Sequence, residues 1–531
     1  MTRTFRLPTL CALALCLAVP AAGQGGVRDF SWTKEANPAL SLGNAATLSE
    51  FTDGAVSSGT LSFSKENGAL VAIDGSADSW AAGVGTESFR RVSDKLVFSG
   101  AVKYEYFRGN GMGAQVLLDP YDSPVNFLEE DYSTAGVKKR ESYLLNGAFS
   151  YSLSKSWALG LKLDYEAADR TKYKDPRFQN DLMDLSVSPG VWFRPSDFLG
   201  AGINLLYRHR LEQIKANTYG NMDRQYYTYV DYGGFIGQRE EFTGDLGYVS
   251  LSNTRPLAND YFGGAIQLIL GRRIKFYNRL GGYYRKGSYG TRSSSSVVFC
   301  EFNGPRFEYS GVLDLPAGAD RLHRISVSAA MADFYNYTNS FYYKTEDGMA
   351  TEVVYIGSNR TLNRHDMEAG VSYGFYVGTD KFRPDWVIRA EADMFSRAQR
   401  TDVFPIYRKH KCQQFGAALG AERNFNFSRS VLGIAARASF NVGTGFANED
   451  GQTSEGTSKL KSYDDYLNRQ FEFDTAARAG AGIELSYTWT AFSGIAPYIK
   501  LSEQFRSLLA EPQYLDGRTR NVALITLGCS F

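Results

Sequence analysis

Apolar and polar positions alternate along most of this chain in segments of roughly ten residues separated by turns, the signature of strands with one apolar and one polar face. From Trp157 one face reads Trp157, Leu159, Leu161, Leu163, Tyr165 and Ala167, and the other Ala158, Gly160, Lys162, Asp164 and Glu166. From Trp386 the faces are Trp386, Ile388, Ala390, Ala392 and Met394 against Val387, Arg389, Glu391, Asp393 and Phe395. Ala477, Ala479, Ala481, Ile483, Leu485, Tyr487 and Trp489 oppose Arg478, Gly480, Gly482, Glu484 and Ser486. Ile495, Pro497, Ile499 and Leu501 oppose Lys500, Ser502, Gln504 and Arg506. The last segment, from Asn521, puts Ala523, Ile525, Leu527, Cys529 and Phe531 on one face.

The connections alternate too. Short ones fall at 154–156, 195–197, 271–273, 378–384, 424–428 and 490–493, and long ones at 109–140, 168–182, 211–260, 336–364 and 443–470. A soluble sandwich has no reason to make every second loop long, whereas short periplasmic turns alternating with long extracellular loops are what an outer-membrane barrel shows. The pattern predicts an all-β fold, a transmembrane antiparallel up-and-down β-barrel of about 16–18 strands. Strands are expected to begin near Leu96, Ser142, Trp157, Met183, Leu199, Phe262, Lys275, Phe307, Arg324, Ala369, Trp386, Gln413, Val431, Ala476, Ile495 and Asn521. A less clear hairpin between Thr60 and Phe89 decides the count. Even parity places both chain termini in the periplasm. Phe531, an aromatic residue closing an alternating strand, looks like the signal such barrels present to their assembly machinery.

The N-terminus adds a destination. Arg3 and Arg6 precede an apolar stretch over 7–19, and Ala21-Ala22-Gly23 offers a cleavage site, so residues 1–23 read as a cleaved signal peptide. The stretch is too short to span a bilayer, which takes about 20 residues. Lipidation at Cys16 is disfavoured by Leu15 before it. Residues 24–55 are a periplasmic or lumen-plugging segment or the first wall, and 56–531 the barrel. A mean hydropathy of −0.30 would suit a soluble protein, but lipid-facing and lumen-facing residues average out in a barrel. Aromatics at 14% and 53 Gly against 15 Pro favour strands, girdles and tight turns. A net charge of +1 gives no argument for nucleic acid. The expected location is the bacterial outer membrane. The expected partners are its lipid and lipopolysaccharide, the barrel-assembly machinery and periplasmic chaperones, with a surface or periplasmic protein partner left open.

Candidate chemistry is sparse. Lys103, Glu105, Lys162, Asp164, Glu166, Arg389, Glu391, Asp393, Arg478, Glu484, Lys500 and Arg506 lie on polar faces. They line a wet lumen with modest ion selectivity, or form ion pairs that stiffen the wall. Loop 211–260 carries Tyr226, Tyr227, Tyr229, Tyr232 and Phe235, either a stacking surface for sugars or a partner, or a β-extension packed by its own aromatics. Trp157, Trp386 and Trp489 beside short turns predict a periplasmic girdle. His209, His323, His365 and His410 are the only histidines, and the His365-Asp366 pair points to opposite faces of a strand, so no catalytic system is expected. Cys300, Cys412 and Cys529 match no common metal spacing, a Cys300–Cys412 disulfide stays open, and no cofactor is expected.

Asn37-Pro38-Ala39-Leu40 resembles the Asn-Pro-Ala element near the N-terminus of the long-chain fatty-acid transporter family, whose N-terminal segment plugs the lumen. The alternative is an Asn-Pro turn in a flexible segment. In overall plan the chain resembles the uncharacterised outer-membrane barrel proteins of about this length in Bacteroidota-type bacteria. That resemblance rests on the signal peptide, the strand and loop rhythm, and motifs such as Ser188-Pro189-Gly190 and Asp231-Tyr232-Gly233-Gly234. It brings no settled activity. The first functional expectation is a passive or gated channel or transporter for a small polar or amphiphilic solute, because about 16 or more strands enclose an interior too wide for side-chain filling. The alternative is an occluded surface-binding or structural barrel acting through its extracellular loops.

Overall fold

Each predicted amphipathic segment is a strand, and successive wall strands pair antiparallel until the last returns to the first. The computed structural model describes residues 28–120, 123, 126–220, 224–242, 256–292, 297–344, 352–457 and 460–531. The predicted signal peptide lies outside them. In chain order the strands are β1 (Ala55–Asn67), β2 (Asp78–Ser93), β3 (Leu96–Met112), β4 (Asn126–Glu129), β5 (Gly136–Ser152), β6 (Trp157–Lys172), β7 (Arg177–Phe193), β8 (Leu199–Asn217), β9 (Tyr226–Asp231), β10 (Ile236–Phe242) and β11 (Leu257–Leu270). They continue as β12 (Lys275–Gly290), β13 (Val298–Pro316), β14 (Arg321–Lys344), β15 (Glu352–Val377), β16 (Trp386–Val403), β17 (Ile406–Asn426), β18 (Ser430–Gln452), β19 (Lys461–Ser462), β20 (Arg478–Trp489), β21 (Ala496–Leu508) and β22 (Thr519–Ser530). Helix α1 is Phe30–Ala36 and α2 is Asp464–Thr475.

Eighteen strands form one sheet, and β4, β9, β10 and β19 form a separate four-stranded sheet. The large sheet closes where β1 pairs with β22, from Ser58 opposite Ser530 to Asn67 opposite Asn521. Ser57 N–H donates to the Phe531 carbonyl at 2.7 Å, and Phe531 N–H donates back at 3.0 Å. The hairpin near Thr60–Phe89 is β1–β2, which settles the count at the upper end of the expected range.

Closure leaves two faces. Outside, Leu159, Leu205, Phe262, Phe307, Leu419, Ile483 and Ile525 are large, apolar and exposed. A contiguous apolar band of that kind is the surface a barrel turns to hydrocarbon. Trp157, Trp386 and Trp489 flank it on the outer face at the short-turn end. Facing strands match in parity, so the polar partners of these residues point inward together.

The structure departs from the expected boundaries at the long-loop end. Strands β14 and β15 run to Lys344 and from Glu352, through most of the predicted loop 336–364, and β18 runs on to Gln452. Beyond the apolar band both faces of a hairpin meet water, so hydropathy stops alternating while the hydrogen-bond ladder continues.

Replacing Ile483, 60% exposed at mid-strand in β20, by Arg is expected to cost about 2–4 kcal/mol in urea unfolding of the lipid-reconstituted barrel. Glu484→Gln, one position on and facing the lumen, should cost less than about 1 kcal/mol.

Candidate functional site

The lumen is filled on one side and open on the other. The filling at the short-turn end is the segment before β1. Asp29 caps α1 by accepting from Trp32 N–H at 2.8 Å. Asn37 and Asn44 each cap a 3-10 turn, Pro38–Ser41 and Ala45–Glu50, by accepting from Ala39 and Ala46 N–H. Their small residues let main chain approach main chain. Ala39, Leu42 and Ala46 are buried against Ala158, Trp192, Ile269 and Tyr277, all on inward faces. Gly160 and Gly190 are the seat: a Cβ at Gly160 would overlap the Ala46 main chain, and one at Gly190 would strike the Asn44 amide. Asn44 Nδ2 donates to the Val191 and Ile203 carbonyls at 3.1 and 3.2 Å and to Gln267 Oε1 at 2.9 Å, joining β7, β8 and β11.

Ion pairs hold the rest of the segment. Arg383 reaches Asp29 at 2.7 Å with both side chains buried. Glu35 accepts from Arg389 at 2.6 Å and from the Tyr376 hydroxyl at 2.7 Å. Lys34 meets Glu87 at 2.6 Å, and Arg194 pairs with Glu50. Asn37-Pro38-Ala39-Leu40 is thus a structured turn rather than a loose one, with Pro38 and Ala39 buried.

The long-loop end carries the four-stranded sheet and α2. Gly233, Gly234 and Phe235 have φ of 114°, 68° and 59°, the left-handed region that a Gly-Gly pair favours, and they turn β9 back onto β10. The predicted contact residues are engaged in that packing. Tyr229 is fully buried, with its hydroxyl donating to the Phe235 and Lys461 carbonyls at 2.9 and 2.5 Å. Tyr226 and Tyr232 pack on a core of Leu117, Phe127, Ile214 and Phe302, Phe235 packs beside Tyr466, and Tyr227 lies under Arg239 at 3.5 Å. Glu129, at the end of β4, is buried between Lys172 and Lys138, the latter 3.6 Å away. Asp464 and Asp465 sit in the first turn of α2, where acids suit the helix dipole, and Tyr466, Leu467 and Gln470 are its buried face. Asp231 accepts from Gly233 N–H at 2.8 Å. Burial pushes its carboxyl up to about 7, against main-chain donors and the charge of Arg408.

Between these fillings, against β16–β18 and β20–β22, lies a cavity of about 730 Å³. Small inward residues hollow its wall: Ala418, Gly420, Ala435, Gly480 and Gly482. Of the predicted lumen charges, Arg389, Asp393, Arg478, Glu484, Lys500 and Arg506 line it. Glu484 meets Lys500 at 3.6 Å, and Glu391 meets Arg437 at 2.6 Å. Asp393 lies over Gly416 beside Asn441, and Arg478 donates to the Phe473 carbonyl at 2.9 Å. Elsewhere on the wall Lys103 pairs with Glu105 at 2.8 Å, Lys162 with Asp164 at 3.0 Å, and Glu166 with Arg140 at 3.2 Å. Several pairs are two residues apart on one strand, where side chains share a face.

Sequence reasoning missed Asp29, Glu35, Asn44 and Arg383, which act across more than a hundred residues of chain. The inward glycines were the one available signal. His365 finds Asp333 across the strand pair at 2.7 Å, while Asp366 turns inward to Arg397 at 2.8 Å. His209 likewise meets Asp260 at 2.8 Å. Cys300, Cys412 and Cys529 are free thiols. Among the described residues no group of His, Cys, Asp and Glu is arranged to hold a metal ion.

The chain belongs to a family of unknown function, DUF6850, which matches residues 45–531. No curated protein matches the sequence. Among solved structures it is similar to BauA, the ferric preacinetobactin receptor of Acinetobacter baumannii, at 7% identity and a TM-score of 0.37, covering 90% of this chain and 80% of that one. It is also similar to the outer membrane transporter YddB of Escherichia coli, at 9% identity and 0.40, covering 89% and 80%. A FadL homologue of Pseudomonas aeruginosa follows at 10% identity and 0.29, covering 96% and 99%. No ligand or activity carries over at these levels.

Two outcomes are expected. Asn44→Ala leaves buried partners on three strands unmatched and should cost about 1–3 kcal/mol, while Gly160→Leu should expel the segment and expose residues 29–51 to protease in an otherwise folded barrel. The second concerns pH. Asp231 has an ordinary pKa of 3.8 when unfolded, so between about pH 4 and 7 the folded hairpin holds a proton that the unfolded one has lost. Its docking should therefore weaken as pH rises through that window, read as faster amide exchange in β9–β10. Asp231→Asn should flatten the dependence.

Proposed function

We propose that this protein is an outer-membrane barrel that passes a small polar solute through its lumen and rests closed at both ends. The short-turn end then faces the periplasm, with residues 29–51 as the plug. The β4–β9–β10–β19 sheet and α2 form the extracellular cover. Lipid and lipopolysaccharide surround the apolar band, and the strand ending in Phe531 is the part offered to the assembly machinery.

The observation that carries this reading is the position of α1. It stands between the 730 Å³ cavity and a second recess of about 560 Å³ at the short-turn end, and Asp29 and Trp32 line both. A seven-residue helix is the partition, held by ion pairs to Arg383 and Arg389 and by the packing of Phe30 on Phe51 and Phe89. Cutting the buried Arg383–Asp29 pair leaves an unmatched charge beside the cavity, which favours water entering there. Moving α1 aside would join the two spaces.

The second reading is a surface-binding barrel that works through its outer cover. The half-exposed Tyr227 under Arg239 is the observation in its favour, since most other aromatics of that hairpin are engaged in packing.

Planar-bilayer recordings of the refolded mature protein separate the two. The wild type should be silent or open rarely. The double variant Asp29→Asn, Glu35→Gln, which cuts the ties of α1 to Arg383 and Arg389, should give stable steps on the order of a nanosiemens. Silence from both, with each barrel shown folded by heat-modifiable gel mobility, would remove the transport reading and leave the surface-binding one.

A further inference from the structure

On the open side of the lumen two guanidinium groups have no acid paired with them, and they sit in one place. On β20, β21 and β22 three arginines lie close in register near the long-loop end. Arg506 is opposite Arg520, and Gly480 is opposite Arg506, with Arg478 two residues before Gly480 on the same face. Arg520 is balanced, because it pairs with Glu66 and donates to the Gly68 carbonyl at 3.0 Å. Arg478 is in no ion pair; it donates to the Phe473 carbonyl at 2.9 Å and lies 5.1 Å from the centre of the Phe473 ring. Arg506 has neither an ion pair nor a hydrogen bond among the described residues.

The other charges around the cavity are accounted for. Arg383, Arg389, Arg437 and Lys500 meet Asp29, Glu35, Glu391 and Glu484 in turn. Glu422 accepts from Asn424 at 2.8 Å. Asp474 on α2 lies in the field of Arg397 and Arg478, but it accepts from Gln470 at 3.1 Å and burial raises its pKa, which weakens it as a counter-ion. Asp393 is three strands away from Arg478, over Gly416.

Two guanidinium groups at diagonal positions on adjacent strands are about 7–8 Å apart at their Cβ atoms, close enough to repel and to grip one group between them. Their planar forks match an oxyanion with paired hydrogen bonds. The Ser439 hydroxyl hangs over Gly480 beside them. Below them the floor is open: a Cβ at Gly482 would meet nothing nearer than 3.4 Å, and one at Gly420 nothing nearer than 3.6 Å.

We propose that this end of the cavity binds the oxyanion group, carboxylate or phosphate, of a small polar solute, with Arg478 and Arg506 as its ligands and the glycine floor accommodating the uncharged remainder. The proposal rests on the lumen being the solute's path, and it gives that path a preference for anions.

Equilibrium dialysis of the folded mature barrel against glucose 6-phosphate, gluconate and glucose tests it. Glucose 6-phosphate, gluconate or both should bind at least about tenfold more tightly than glucose, as charge-assisted hydrogen bonds to two guanidinium groups require, and which of them binds tells phosphate from carboxylate. The double variant Arg478→Gln, Arg506→Gln, checked for heat-modifiable mobility, should lose that preference. Arg506→Lys should keep the order of the probes with weaker binding. Equal binding of all three, binding of none, or a preference that survives in the folded double variant would overturn the site. Anion preference in a barrel that never conducts would overturn the transport reading alone, and steady current without anion preference would overturn the site alone.

Discussion

A β-sheet immersed in hydrocarbon finds no water to satisfy its edges, so its hydrogen-bond ladder must close on itself. Everything else in this molecule follows from that closure between β1 and β22. Closing a sheet of eighteen strands sets a lumen too wide for wall side chains to fill. The space must then hold water or more of the chain. This protein does both. The segment before β1 and the sheet and helix from the long loops fill part of it, and an open cavity lined by charged and small residues remains against β16–β18 and β20–β22.

Inward glycines mark the division. Gly160 and Gly190 are covered by main chain and by the Asn44 amide, whereas Gly420 and Gly482 face open space. The same residue type therefore serves two ends, close approach of backbone on one wall and volume on the other. Charge follows a similar split. On the filled side ions are matched across elements, as in Arg194 with Glu50 and Lys172 with Glu129. On the open side the matching is incomplete, and Arg506 is the clearest remainder.

What alternation could reveal was what alternation causes. The wall strands, their inward faces and the girdle residues Trp157, Trp386 and Trp489 were legible because lipid and water lie on opposite sides of one ladder. The upper parts of β14, β15 and β18 were not, because above the apolar band both sides are wet. The segment at 29–51 was ambiguous because its contacts are distant: Arg383 and Asp29 are 354 residues apart, and no local period encodes that pairing. The Tyr226–Phe235 stretch was readable as aromatic, but its largely inward packing depends on Phe127, Ile214 and Tyr466, which only the fold brings together. Glu391 was placed on an inward face, yet its meeting with Arg437 across β17 depends on strand spacing rather than on either strand alone.

The seat of the N-terminal segment is composite. Asn44 needs carbonyls from β7 and β8 and a side chain from β11, and Asp29 needs Arg383 from the turn before β16. Gly160 and Phe89 on early strands supply part of that seat, but it is not complete until strands far downstream are in place. The segment precedes every wall strand in the chain, yet its ties to Gln267 and Arg383 require strands that come more than two hundred residues later. Its complete seating therefore depends on wall strands from both halves of the chain being in register.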